Sequence, residues 1–312
     1  MAYFCGMISK LSFSGHETFY CRHFWLKKGY DYVAANQSFN DDSALVYLGV
    51  GKNMVSSIRY WMRAFGLIMF NTETKRDELT ELAHFIFADN IGVDPYLENI
   101  GTLWLLHYQI VTQQKASIYG LLFNEFRKER VDFTREQVTD FVKRKCNEQN
   151  TIFNIETVKK DFDVLVRNYV RPIVKSKNIE EDFSALLIDL GLLREIEKPI
   201  DDVPDKERKR WFKLNATTRE NLPLEILLFA ILDNPKYASE NVQSVSFISL
   251  LNDENSIGLV FALTTTGLID KLEQMQQQFK NFLTYSDDAG VRELQFKVKP
   301  NKWDILQQYY AK

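Results

Sequence analysis

The sequence predicts a mainly α protein, organised as tandem helix-turn-helix or winged-helix units with small β-hairpin wings. Three observations carry this reading. Apolar residues recur at helical spacing over long stretches. Glycine and proline are scarce, 13 and 7 in 312 residues, so little interrupts those stretches. Strand-like alternation is confined to short pieces next to turn residues, as wings require.

The first unit is expected between Asp41 and Phe70. Asp41 or Asp42 can cap a short helix through Leu48, and Gly49-Val50-Gly51 breaks it. A second helix follows from Lys52 to Phe65, with Met54, Val55, Ile58, Trp61, Met62 and Phe65 as its apolar stripe. Gly66-Leu67-Ile68 closes it and turns the chain into extended structure. Residues Glu81 to Arg130 have the pattern of packed helices linking this unit to the next. In the second unit, Thr134 and Gln137 have capping-box spacing for a helix to Cys146. Asn154 can cap another, with the stripe Val158, Phe162, Leu165, Val166 and Tyr169. A third helix is expected from Phe183 to Leu193, then a charged loop from Asp201 to Arg210 and a strand at Trp211–Leu214. The third unit offers helices at Leu224–Leu232 and Phe247–Leu251, a long one at Leu259–Phe279, and strands at Phe282–Tyr285 and Glu293–Val298. The expected domains are therefore 1–130, 131–215 and 216–312.

Composition bounds the function. The chain is 45% hydrophobic with 23 Phe, enough for cores that fold unaided. Its net charge of -3 means that any polyanion partner must be met by a locally basic face. The cysteines Cys5, Cys21 and Cys146 are odd in number and scattered, which fits free thiols and a cytoplasmic setting. No signal peptide is expected, and no segment has the length and apolarity of a membrane span.

The chemical motifs fail on inspection. Gly49-Val50-Gly51-Lys52 suggests a phosphate loop, but Val46 stands where the first glycine belongs and Asn53 where Ser or Thr belongs. His16, Glu17, Cys21 and His23 crowd together, yet no second Cys/His pair completes a zinc set, so a hydrogen-bonded corner is the simpler reading. Nothing marks an activated nucleophile. Asp41-Asp42, Glu180-Glu181 and Asp287-Asp288 fall in turns, and His107 lies in an aromatic-rich helix that suits a core histidine. No catalytic residue, metal site or cofactor is expected.

DNA contact rests on different physics. A recognition helix needs Arg and Lys for phosphates or guanine, and Asn, Ser or Tyr for other edges. The Lys52–Arg63 helix offers Lys52, Asn53, Ser56, Ser57, Arg59, Tyr60 and Arg63 away from its apolar stripe, with no acid among them. The second unit's helix adds Lys159, Lys160 and Arg167, diluted by Glu156, Asp161 and Asp163. Lys206, Arg208, Lys209 and Arg210 form the densest basic run. A solvated helix used only for protein contact carries the same inventory, so both readings stay open here.

The strings Ser14-Gly15-His16-Glu17-Thr18-Phe19, Arg22, Trp25-Leu26-Lys27-Lys28-Gly29 and Leu48-Gly49-Val50-Gly51-Lys52-Asn53-Met54-Val55 resemble the bacterial domain-of-unknown-function family 4007. That resemblance implies a setting beside phosphoadenosine-phosphosulfate-reductase-like genes in DNA sulfur-modification (phosphorothioation) and phage-defence clusters. It supplies no catalytic residues. The expectation is a non-catalytic component that binds double-stranded DNA and a protein partner of a modification or defence complex. The alternative is a scaffold subunit with little DNA contact.

Overall fold

A computed structural model describes residues 10–171, 185–197, 210–288 and 290–311. Gly49, at φ +65°, ends helix α2 (Ser43–Leu48), and Gly51 starts α3 (Lys52–Ala64) from an extended conformation. Helix α1 (Trp25–Ala34) precedes them and packs on α3. The end of α3 is a Schellman closure: Gly66, at φ +66°, donates its N–H to the Arg63 carbonyl, and Leu67 donates to Met62. The chain then enters the antiparallel hairpin β1 (Ile68–Asn71) and β2 (Arg76–Leu79).

Helices α4 (Glu81–Phe87) and α5 (Ile100–Thr112) form the link. Every residue of α5 from Gly101 to Val111 is buried, so it serves as the axis on which the units pack. A continuous helical run follows: α6 (Ser117–Gly120), a π-helical turn (Leu121–Phe126) and α7 (Arg127–Glu129). The second unit contains β3 (Asp132–Thr134), α8 (Arg135–Glu148), α9 (Ile155–Tyr169), β4 (Leu193–Ile196) and β5 (Trp211–Leu214). The expected Thr134/Gln137 capping box is formed, and the Asn154 side chain accepts the Thr157 N–H. The sheet runs β3-β5-β4, with Phe133 opposite Phe212 and Leu193 opposite Leu214.

The third unit contains α10 (Leu224–Asp233), β6 (Ser244–Ser246), α11 (Phe247–Asn252), α12 (Ile257–Val260), α13 (Thr265–Gln278), β7 (Leu283–Asp288) and β8 (Val291–Phe296). Its sheet runs β6-β8-β7, the same arrangement as in the second unit. Helix α14 (Lys302–Tyr310) returns to α10 and reaches the start of α5, where Tyr310 bonds Thr102 and Tyr309 bonds Asn99, both at 2.7 Å. Buried apolar side chains of all three units form one contiguous core.

Three expectations need correction. With about 50% helix and 14% strand the fold is mixed α/β, because each of the last two hairpins recruits a third strand from ahead of its helices. The helix expected from Phe183 to Leu193 lies partly outside the described residues. Within them it is one 3-10 turn, Ile188–Leu190, that Gly191 ends at φ +58° before Leu193 pairs into β4. The helix expected at Leu259–Phe279 is broken between α12 and α13. There Ala262 takes φ +49°, Leu263 bridges to Thr217, and Thr264 caps the next helix.

That break is held by side chains from elsewhere. Arg127 donates to the Gly258 and Leu259 carbonyls, His107 bonds the Val260 carbonyl at 2.8 Å, and Arg219 donates to that of Phe261 at 3.0 Å. The Val260 and Phe261 carbonyls take no backbone N–H among the described residues, so the side chains satisfy them, while those of Gly258 and Leu259 also accept from Leu263 and Ala262. His107 must therefore carry its proton on Nε2 and accept at Nδ1 from the Tyr169 hydroxyl, 2.7 Å away. Burial, with the nearby Arg219 charge, lowers its pKa to about 3, although the Val260 bond opposes the shift.

The sign of the resulting pH dependence is fixed. Unfolded, His107 takes up a proton below about pH 6.5; folded, it does not until about pH 3. Its contribution to stability is thus present above pH 6.5 and is lost as pH falls, by up to about 1.4 kcal/mol per pH unit. His107→Gln keeps a donor and an acceptor but cannot titrate. Urea-unfolding midpoints from pH 7 to pH 4 should therefore fall more steeply for the wild type, and parallel curves would refute the assignment.

Candidate nucleic-acid interface

The N-terminal corner locks the first unit to the second. Ser14, Gly15, Glu17 and Thr18 all have positive φ, which turns the chain tightly around His16. The buried His16 ring accepts the Thr18 N–H at Nδ1, 3.0 Å, so Nε2 carries the proton and donates to the buried Asp161 at 2.8 Å. Asp161 also takes the Ser14 N–H on both oxygens. Gly15 is required here: at φ +104°, a Cβ would meet the Tyr60 ring at 2.7 Å. Both nitrogens of His16 are thus occupied, and Asp161, placed by sequence among the surface charges of its helix, is internal. Among the described residues no three His, Cys, Asp or Glu side chains group as a metal ion would need.

The α3 face differs from its sequence reading. Lys52, Asn53 and Ser56 are exposed as expected. Ser57 is fully buried and its hydroxyl lacks a partner among the described residues, so it is not on the exposed face. Tyr60 is half-buried, edge-on to His16 at 5.7 Å and to Trp61 at 5.1 Å. Burial, and the Asp161 charge behind it, raise its hydroxyl pKa. The face also has its acid. Asp77 of β2, its side chain 4% exposed, binds Arg59 at 2.6 Å and Arg63 at 2.9 Å. Arg59 further holds Asn40 at 2.8 Å. Both arginines are committed to fixing the β1–β2 hairpin against the helix.

A second basic surface lies along α9. A groove of about 600 Å³ is lined by Arg22 from the corner, Arg135 from the start of α8, Arg167 from the last turn of α9, Arg171 just beyond that helix, and Arg210 beside β5. Asp163 and Glu195 also line it, and Asp189 pairs with Arg171 at 3.6 Å, so five arginines against three carboxylates leave two positive charges on a chain of net charge -3. Arg210 holds Glu195 through two bonds of 2.6 and 2.7 Å, which raises its pKa further. Arg135 reaches Asp163 at 3.3 Å. Arg167 is exposed and makes no ion pair among the described residues. Of the other basic residues singled out by sequence, Lys160 is exposed, while Lys159 is half-buried and paired with Glu156 at 2.9 Å. Lys206, Arg208 and Lys209 lie outside the described residues.

The counterpart helix of the third unit is different. Helix α13 exposes Thr266, Asp270, Glu273, Gln274 and Gln277, with no cation among them, and its Lys271 is buried against backbone carbonyls.

The sequence pattern of a family described as a protein of unknown function, DUF4007, matches residues 13–310. The chain belongs to the DUF4007 family. It is similar to two solved structures. A magnesium ion-bound SspB shares 29% identity over 96% of this chain and 88% of that one, with a TM-score of 0.80. A second SspB structure shares 28% over the same fractions, with a TM-score of 0.79. No curated protein matches the chain. Among the described residues no helix is long and apolar enough to cross a membrane.

The structure thus brings Arg167 and Arg210 together, as two of the residues singled out by sequence, and adds Arg22, Arg135 and Arg171 to them. Two of the added residues left a trace in the sequence. Arg171 follows Arg167 by one helical turn, and Arg22 stands inside the string that carries the family resemblance. Arg135 left none, since only the packing of α8 on α9 brings it there.

Proposed function

We propose that the protein is a non-catalytic DNA-binding component of a bacterial DNA-modification or phage-defence system, in which its three units act as winged-helix modules. Three units in which helices are followed by an antiparallel hairpin, two with the strand order described above, support the winged-helix reading. The family resemblance supports the setting, and the likeness to SspB over nearly the whole chain fits it. The observation that carries DNA binding is the arginine groove: helix α9 and the hairpin that follows it converge there, as winged domains present a helix and wing to a duplex. Guanidinium groups suit phosphate because they bond it in a planar fork. The duplex backbone lies in this groove, and Lys52, Asn53 and Ser56 of α3 provide a second contact.

Charge reversal at Arg167 tests this. Arg167→Glu should abolish the gel shift of a random duplex at concentrations where the wild type shifts it fully. An undiminished shift would remove the groove from the account. One of the similar SspB structures holds magnesium. Supercoiled plasmid incubated with this protein and magnesium should stay supercoiled, and conversion to open circles would replace the non-catalytic part of the reading by strand cleavage.

A second reading, a scaffold subunit, is favoured by α13. Its acidic and amide-rich exposed face repels phosphate and suits a basic protein surface, so the third unit faces a protein partner rather than DNA.

A further inference from the structure

A separate groove of about 650 Å³ lies between the first unit's wing and the α10–α14 pair, and it shares no lining residue with the arginine groove. Its volume is that of a small-molecule site. Planar and apolar surfaces line it from both units. Phe70 of β1 remains 49% exposed, while Trp303 packs against Phe229 with 5.8 Å between ring centroids. Helix α5 contributes Gln109, whose residue is only 5% exposed. The Gln109 carbonyl accepts from Gln113 at 2.9 Å, but its own amide nitrogen has no partner among the described residues. Lys115, on the rim, is exposed and has no carboxylate partner among them.

An amide donor at the groove favours an occupant that offers an acceptor over a purely apolar one. Aromatic faces beside an amide that can read a base edge, with a cation near by, match a nucleobase that carries a phosphate. We propose that this groove binds a nucleotide, its base against Phe70 and Trp303, its polar edge on Gln109 and its phosphate toward Lys115. Free mononucleotides and an unpaired base within a DNA strand share that chemistry. The proposal does not rest on the arginine groove.

The test uses the full chain. The four deoxynucleoside monophosphates are titrated by calorimetry, alongside a duplex with one extra unpaired nucleotide and its fully paired control. Phe70→Ala and Lys115→Ala alter exposed side chains, and circular dichroism verifies their folding. Binding of a mononucleotide with Kd of about 1 mM or tighter, weakened about 10-fold by either variant and unchanged by Arg167→Glu, supports a free-nucleotide site. Preference for the bulged duplex by about 10-fold, lost in Phe70→Ala while mononucleotides fail to bind, supports an unpaired base as the occupant. Absence of both, or binding indifferent to Phe70→Ala and Lys115→Ala, overturns the proposal.

Discussion

Replacing Arg135, Arg167 and Arg210 together with alanine is expected to weaken binding of a random-sequence duplex roughly 100-fold and to flatten its salt dependence. Each arginine that neutralises one phosphate adds about 0.9 to the slope of log affinity against log salt, so losing three should lower it by about 2.7. None of the three side chains is internal, being 41% exposed at Arg135 and 63% at Arg210, with Arg167 also on the surface. Their ion pairs with Asp163 and Glu195 are surface pairs that contribute little to folding. The variant should therefore unfold at nearly the wild-type temperature. An equal loss for all duplex sequences is expected, because phosphate contacts carry no base information. Unchanged affinity and slope in a folded variant would show that DNA, if bound, lies elsewhere.

The largest effect on stability is expected at Arg219. This residue is 5% exposed and has no acid partner among the described residues; it donates instead to the carbonyls of Phe261, Leu190, Gly191 and Asn215, and lies over Trp104. Burial, reinforced by the charge of Arg127, lowers its pKa to about 10, so it stays charged at neutral pH. Those carbonyls belong to the break after α12, the turn before β4 and the strand exit after β5. One guanidinium therefore ties the second unit to the third. Arg219→Ala strands several buried acceptors and opens a cavity beside Trp104, a loss of about 3–5 kcal/mol. Against total stabilities of about 5–15 kcal/mol this is severe. Urea unfolding of wild type and variant measures it. A difference below about 1 kcal/mol would mean that water replaces the guanidinium, and that the hub is not what holds the units together.

The elements that sequence placed well are those whose ends have local causes. Gly49, Gly51 and Gly66 bracket α2 and α3, Thr134 and Asn154 start α8 and α9, and the strand at Trp211–Leu214 follows its own alternation. Elements made by distant partners were not legible. The break at residues 261–264 exists because His107, Arg127 and Arg219 satisfy its carbonyls, and nothing within the apolar run around it announces them. The strand β3 is three residues long and is defined by its pairing with β5, nearly eighty positions away in sequence. The site shows the same division. A basic face was visible on α3, but Asp77 reaches it across the hairpin turn and occupies Arg59 and Arg63. The arginine groove gathers its five arginines from four separate segments, so no single window of sequence contains it.

The most direct measurement is fluorescence anisotropy of a labelled random-sequence duplex, titrated with the intact protein at several salt concentrations. The account predicts binding at low salt that weakens with a slope of about -3 to -5 in log affinity against log salt, as expected if three to five arginines displace counterions from phosphates. No binding at low salt, or binding indifferent to salt, would contradict a phosphate-binding groove and leave the protein-contact reading in its place.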